Sequence, residues 1–127
     1  MAYYFAKTLD VSFDEAVERT VAALKQHGFG VLTRIDVKNT LKEKIGVEFR
    51  PYMILGACNP QMAHQALQAE DKIGTMLPCN VIVQERGGKS EVAAVDPVAS
   101  MQAIENPALA TIAAKVREEL KAVVQSL

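Results

Sequence analysis

The segment from Glu48 to Pro60, E-F-R-P-Y-M-I-L-G-A-C-N-P, constrains this chain more than any other. Its middle, Tyr52 to Ala57, is apolar without interruption. A run of that length suits a strand covered on both faces better than one with a face in water. The run closes on Cys58-Asn59-Pro60, where Asn is a helix cap and Pro a first helical residue. Arg50 stands before Pro51, which holds it extended at the strand's entrance. The segment therefore reads as the central strand of a sheet, with an exit turn that carries polar groups to one rim.

The flanking segments supply the other elements. Tyr3 to Leu9 is aromatic-rich and predicts an edge strand. Ser12 and Glu15 form a capping box, and Phe13, Ala16, Val17, Thr20, Val21 and Leu24 repeat as one buried helical face that Gly28 stops. Phe29 to Ile35 predicts a second strand, and Asp36 caps a short helix with Val37, Leu41 and Ile45 in one stripe. Lys38, Lys42 and Lys44 give that helix a basic outer side, the ordinary solvated face of such a helix. After Pro60 comes a third helix with Met62, Ala63, Ala66 and Leu67 inward and His64 on its wetter side. Residues 71–77 show no period and predict a loop or a single turn.

Cys79, Val81 and Val83 alternate with Asn80, Ile82 and Gln84 in a fourth strand. Gly87-Gly88 signals a tight hairpin into a fifth strand, Glu91 to Asp96. Asn106-Pro107 then opens a long helix whose apolar face runs through Leu109, Ile112, Ala113, Val116, Leu120, Val123 and Val124. Two long helices need an apolar surface to cover, and the hairpin demands antiparallel pairing. The fold predicted is α+β: one five-stranded, mainly antiparallel sheet with both long helices on one face. Leu32, Ile54 and Ile82, or their alternates, are left for the other face, which is a place for a second subunit, so a homodimer is expected.

Length and charge bound the function. The 127 residues suggest one domain, with no internal boundary, repeat or low-complexity tract. Half of the residues are hydrophobic, 23% are charged, and the net charge is −1. That balance offers no general attraction to nucleic acid or to an anionic membrane. No apolar run approaches the ~20 residues of a membrane span, and the N-terminus lacks a signal peptide's basic and apolar regions. The expected compartment is the cytoplasm, where Cys58 and Cys79 stay reduced.

Two tripeptides carry the chemistry, Ala57-Cys58-Asn59 and Pro78-Cys79-Asn80. If their strands are antiparallel neighbours, both Cys-Asn pairs meet at one rim. The expected site is then two thiols and two carboxamides, joined by His64 or Asp96. Cys58, Cys79 and His64 are the soft ligands that suit zinc or copper, although one chain offers only three where a tetrahedral centre needs four. Against this, free cysteine is often plain core packing. Cys58, just before a helix, is the better candidate for a reactive thiol. Arg50, Asp96 and Glu48 make a second polar group, with a structural ion pair as its simpler meaning, and Arg50-Pro51-Tyr52 at the strand entrance adds Tyr52 to the candidate ligand-binding residues. No nucleophile elbow, phosphate loop, dinucleotide fingerprint or His-rich metal motif is present.

Several of these segments look alike in one known family. Gly28-Phe29-Gly30-Val31-Leu32, Thr40 to Lys44, Phe49-Arg50-Pro51-Tyr52, Ile54 to Pro60, Leu77-Pro78-Cys79-Asn80-Val81 and Ala93 to Pro97 together resemble the bacterial and archaeal family catalogued as domain of unknown function 302. The resemblance spans nearly the whole chain and is most specific at the two Cys-Asn segments. It implies a TATA-binding-protein-like β-α-β4-α fold and a homodimer, and it implies no activity and no catalytic residue. DNA binding does not follow from that fold. The function expected is a non-enzymatic binding module holding a small ligand or metal near the Cys-Asn rim. The alternatives are a thiol-dependent redox enzyme and a structural or interaction domain.

Overall fold

The computed structural model describes residues 2–127. Its elements run β1 (Tyr4–Leu9), α1 (Phe13–Gln26), β2 (Gly30–Asp36), α2 (Val37–Ile45), β3 (Tyr52–Cys58), α3 (Pro60–Ala69), a 3₁₀ turn (Ile73–Met76), β4 (Cys79–Arg86), β5 (Lys89–Val95), α4 (Pro97–Ser100) and α5 (Pro107–Gln125). Local chemistry starts each helix. Ser12, Asp36, Asn59, Asp96 and Asn106 cap α1 to α5 in turn, each accepting a first-turn N–H through its side-chain oxygen. Pro60, Pro97 and Pro107 occupy first-turn positions, where a missing N–H costs nothing.

All five strands pair antiparallel in the order β1-β5-β4-β3-β2. The central strand is therefore β4. The expectation that β3 holds the middle is corrected: the β4–β5 hairpin recruits β1 on its far side, which moves the centre one strand over. The hairpin turn itself is Gly87-Gly88, both with φ in the left-handed region where other residues are strained.

One face of the sheet carries Leu55, Ala57, Val81, Val83, Val92 and Ala94, each at most 1% exposed. Both long helices cover it: Val17 and Leu24 of α1 and Val116, Leu120, Val123 and Val124 of α5 join these strands in one core cluster, with Ile112 packed against it. A second, smaller cluster gathers Ala66, Ile73, Met101, Leu109 and Ala113 beyond the Cys58 end of β3. The other face of the sheet has no helix of α1 or α5 on it, and its Tyr52, Ile54, Ile82 and Gln84 remain half-exposed. Leu32 departs from expectation. The β2–β3 register shifts between Val31 and Thr33, and Leu32 bulges out of the alternation that would place it on the open face. None of the helices is long and apolar enough to cross a membrane among the described residues.

Candidate functional site

The register of β3 on β4 decides how the two Cys-Asn pairs lie. Ala57 faces Cys79 and Gly56 faces Asn80, so Cys58 stands one residue out of step with Cys79. Cys79 points with Val81 and Val83 toward the helices and is buried. Asn80, next in the strand, projects from the open face and is exposed. Strand alternation thus divides the second Cys-Asn pair between the two faces, and the expected four-group rim does not form. Cys58, Asn59 and Cys79 remain together.

What brings these three together is a cavity of about 340 Å³ at the seam of the two core clusters. Its floor is the end of the sheet, with Phe29, Ala57, Cys58 and Cys79. Its walls are Met62, Ala63, Ala66 and Leu67 of α3, Leu109, Ile112, Ala113 and Val116 of α5, and Pro97 and Met101 at α4. Leu32, Gly74, Leu77 and Pro78 complete the lining. Among the described residues no charged side chain lines it. Asn59 is its one carboxamide, and its Oδ1 accepts the Met62 N–H at 3.2 Å, which anchors α3 to the strand end.

The thiols differ in environment. Both are free, with Cys58 half-buried and Cys79 buried. Burial, reinforced by the neighbouring Cys58, pushes the Cys79 thiol from its ordinary value of 9.0 up to about 11. Cys79 is therefore a neutral thiol at physiological pH and packs as a small apolar group. The folded state holds this proton more tightly than the unfolded chain, so its contribution to stability is complete below pH ~9 and is lost as pH rises through ~11. Alkylation of the native protein at pH 8 is expected to give a single adduct, at Cys58. The thiolate fraction of Cys79 there is about a hundredfold below that of an ordinary thiol. Equal labelling of Cys79 in the Cys58→Ser variant would contradict this placement.

The remaining candidates lie elsewhere. His64 is exposed on α3 and does not line the cavity. Among the described residues no group of three or more His, Cys, Asp or Glu is placed to hold a metal ion. Tyr52 sits at the opposite end of β3 from Cys58, six residues or ~20 Å away. The expected group of Arg50, Glu48 and Asp96 separates because each finds a nearer partner, while Arg50 and Tyr52 stay together. Arg50 donates to Gln84 Oε1 at 2.9 Å and stacks over Phe49 and near Tyr52, with centroids 4.5 and 5.6 Å away. Gln84 in turn donates to Glu91 at 2.8 Å, and Glu48 meets Lys42. Asp96 is buried; its Oδ1 accepts the Val98 N–H at 3.0 Å and its Oδ2 accepts Arg117 Nε at 3.1 Å.

Missed at the level of sequence were the cavity's walls: Met101, Leu77, Leu109 and the small faces of α3 and α5. The available signal was alanine. Ala63, Ala66 and Ala113 stand where two converging helices would ordinarily place larger side chains, and their size leaves the space.

Comparison with known proteins agrees with this architecture. No curated protein matches the chain. Among solved structures, the crystal structure of an uncharacterized conserved DUF302 protein from Bacillus stearothermophilus is 32% identical, with 98% of each chain covered and a TM-score of 0.92. The family model described as domain of unknown function DUF302 matches residues 5–127. With a family match over almost its full length and a close structural relative of the same family, the chain belongs to the DUF302 family.

Proposed function

We propose that this protein is a non-enzymatic binding module whose ligand is a small molecule held in the cavity beside Cys58 and Cys79. The observation that carries the reading is the size of that space in so small a chain, 340 Å³ with an almost wholly apolar lining. A closed dry void of this volume would forfeit on the order of 8 kcal/mol, at ~24 cal/mol per Å³. That is comparable to the whole net stability of a typical domain. Water at the open mouth relieves part of the cost, but not along walls that offer it few partners. An apolar guest relieves the rest. The neutral state of Cys79 argues against it as a nucleophile and leaves Cys58 as the reactive group of the thiol-dependent alternative. A reducing compartment such as the cytoplasm suits two free thiols.

Native mass spectrometry of the protein purified from its own organism tests the reading. The expected result is a co-purifying small molecule that is absent from Ala66→Phe and Ala113→Phe, two substitutions that fill the cavity from opposite walls. A folded wild-type protein that carries nothing, or an adduct that survives both substitutions, would sink it.

A second reading concerns the open face of the sheet. Tyr3, Tyr4 and Tyr52 border a groove there, with Ile82 and Val95 as its floor and Arg50 at its edge. Tyr and Arg are the residues that interface cores favour. Five strands spaced ~4.8 Å apart and ~20 Å long present roughly 500 Å² in projection, and more as accessible surface. That approaches the ~800 Å² each partner buries in a stable complex. A homodimer through this face is the proposed assembly. Sedimentation at micromolar concentration is expected to give twice the chain mass of 13.8 kDa, and Tyr52→Glu to return it to one. A monomeric wild type would remove the proposal.

A further inference from the structure

The lining narrows the chemistry of the guest. A 150 Å³ apolar cavity is known to take benzene, with six heavy atoms. By the same proportion, 340 Å³ holds about 14. None of the lining residues is Lys, Arg, His, Asp or Glu, so a charged head inside would be buried without a partner. The mouth is no more welcoming to charge: Leu32 and Leu67, 67% and 44% exposed, form an apolar collar around it. One neutral donor is available. Asn59 spends its Oδ1 on the Met62 N–H, and its amide NH₂, which lies beside Gly28, makes no hydrogen bond among the described residues. That donor suits a hydroxyl or carbonyl oxygen. Met62 and Met101, unbranched and polarizable, let opposite walls adapt to a flexible guest.

Resting on the binding reading above, we propose that the ligand is an uncharged, flexible, hydrocarbon-like molecule of about 14 heavy atoms with a single oxygen at one end, of the alkyl or isoprenoid alcohol class. The oxygen lies at the Asn59 amide and the chain runs inward between α3 and α5, past Ala66 toward Met101 and Leu109.

Straight-chain alcohols and carboxylates are the probes, from six to fourteen carbons, titrated into the full chain at pH 8. Two readouts apply: binding by calorimetry, and protection of Cys58, on the cavity floor, from alkylation. Among the alcohols, affinity is expected to rise about fourfold per methylene. The rise should stop near twelve or thirteen carbons, where the cavity is full. The carboxylate of equal length is expected to bind at least tenfold more weakly, and Asn59→Ala to erase most of the alcohol's advantage over the bare alkane. Ala113→Phe and Ala66→Phe, each checked for native circular dichroism, are expected to abolish both readouts. Carboxylates that equal or exceed the alcohols, or an affinity still climbing at fourteen carbons, overturn the proposed ligand class while leaving the cavity as a binding site. If neither series binds and Cys58 stays open to labelling throughout, the binding reading itself fails.

Discussion

Replacing Gly56 with Ala is expected to lower stability by about 3 kcal/mol, near the upper end of overpacking costs. A Cβ at this position would lie 2.3 Å from Thr33 Oγ1 and 2.8 Å from Pro78 Cγ. Neither neighbour yields easily. Thr33 is β-branched and stiff at χ1, and Pro78 is a ring. The opposing effect is smaller: removing a glycine from a strand ordinarily stabilises by ~0.4–1 kcal/mol through the unfolded state. Clash therefore wins, and the midpoint of thermal unfolding should fall by about 10 °C. The close approach also shapes the cavity, because Gly56 is where β2, β3 and the Pro78 segment converge one residue from its floor. Thr33→Ala removes the nearest atom and should recover part of the loss in the double variant, a coupling that separate substitutions at distant sites would not show. Urea unfolding of the four proteins measures it. A Gly56→Ala protein within 0.5 kcal/mol of the parent would mean the strands separate freely here.

The second large effect is expected at Asp96, where Ala should cost about 3 kcal/mol. Two contributions add. The carboxylate caps α4 by accepting the Val98 N–H at 3.0 Å, and a lost cap costs ~1 kcal/mol. It also pairs with Arg117, which lies over the Phe5 ring at 5.2 Å and binds Glu118 on its other side. Breaking a buried pair costs ~3–5 kcal/mol, but Arg117 is one-third exposed and keeps access to water and Glu118, so that figure is discounted to about 2. Asp96→Asn separates the two, since Asn caps as well as Asp and carries no charge. It should recover about 1 kcal/mol. Equal losses in both variants would show that the cap contributes nothing, and a loss below 1 kcal/mol in Asp96→Ala would show that the pair is idle. Since Pro97 and Met101 form one wall of the cavity, Asp96→Ala should also loosen binding of the proposed ligand where Asp96→Asn does so less.

These effects show where local chemistry ends. The capping residues Ser12, Asp36, Asn59 and Asn106, the glycine pair of the hairpin and the apolar periods of α1 and α5 are properties of a few consecutive residues. Each can be read from the chain because hydrogen bonds to the first turn and 3.6-residue spacing involve neighbours only. The antiparallel sheet with both long helices on one face followed from the same signals, since two amphipathic helices and a hairpin leave few other arrangements.

Position across strands is another matter. That β4 rather than β3 is central, and that Ala57 rather than Cys58 faces Cys79, depends on pairings between segments twenty or more residues apart. A single step of register sends neighbouring side chains to opposite faces, which is why Cys79 enters the core while Asn80 leaves it. Arg50, Glu48 and Asp96 separated for a similar reason: partners as distant in sequence as Gln84 and Arg117 stood closer in space. The cavity was the least legible feature. Empty volume has no residue of its own. It arises because Ala63 and Ala66 on one helix and Ala113 on another meet across the end of a sheet, and only tertiary packing brings those small side chains face to face.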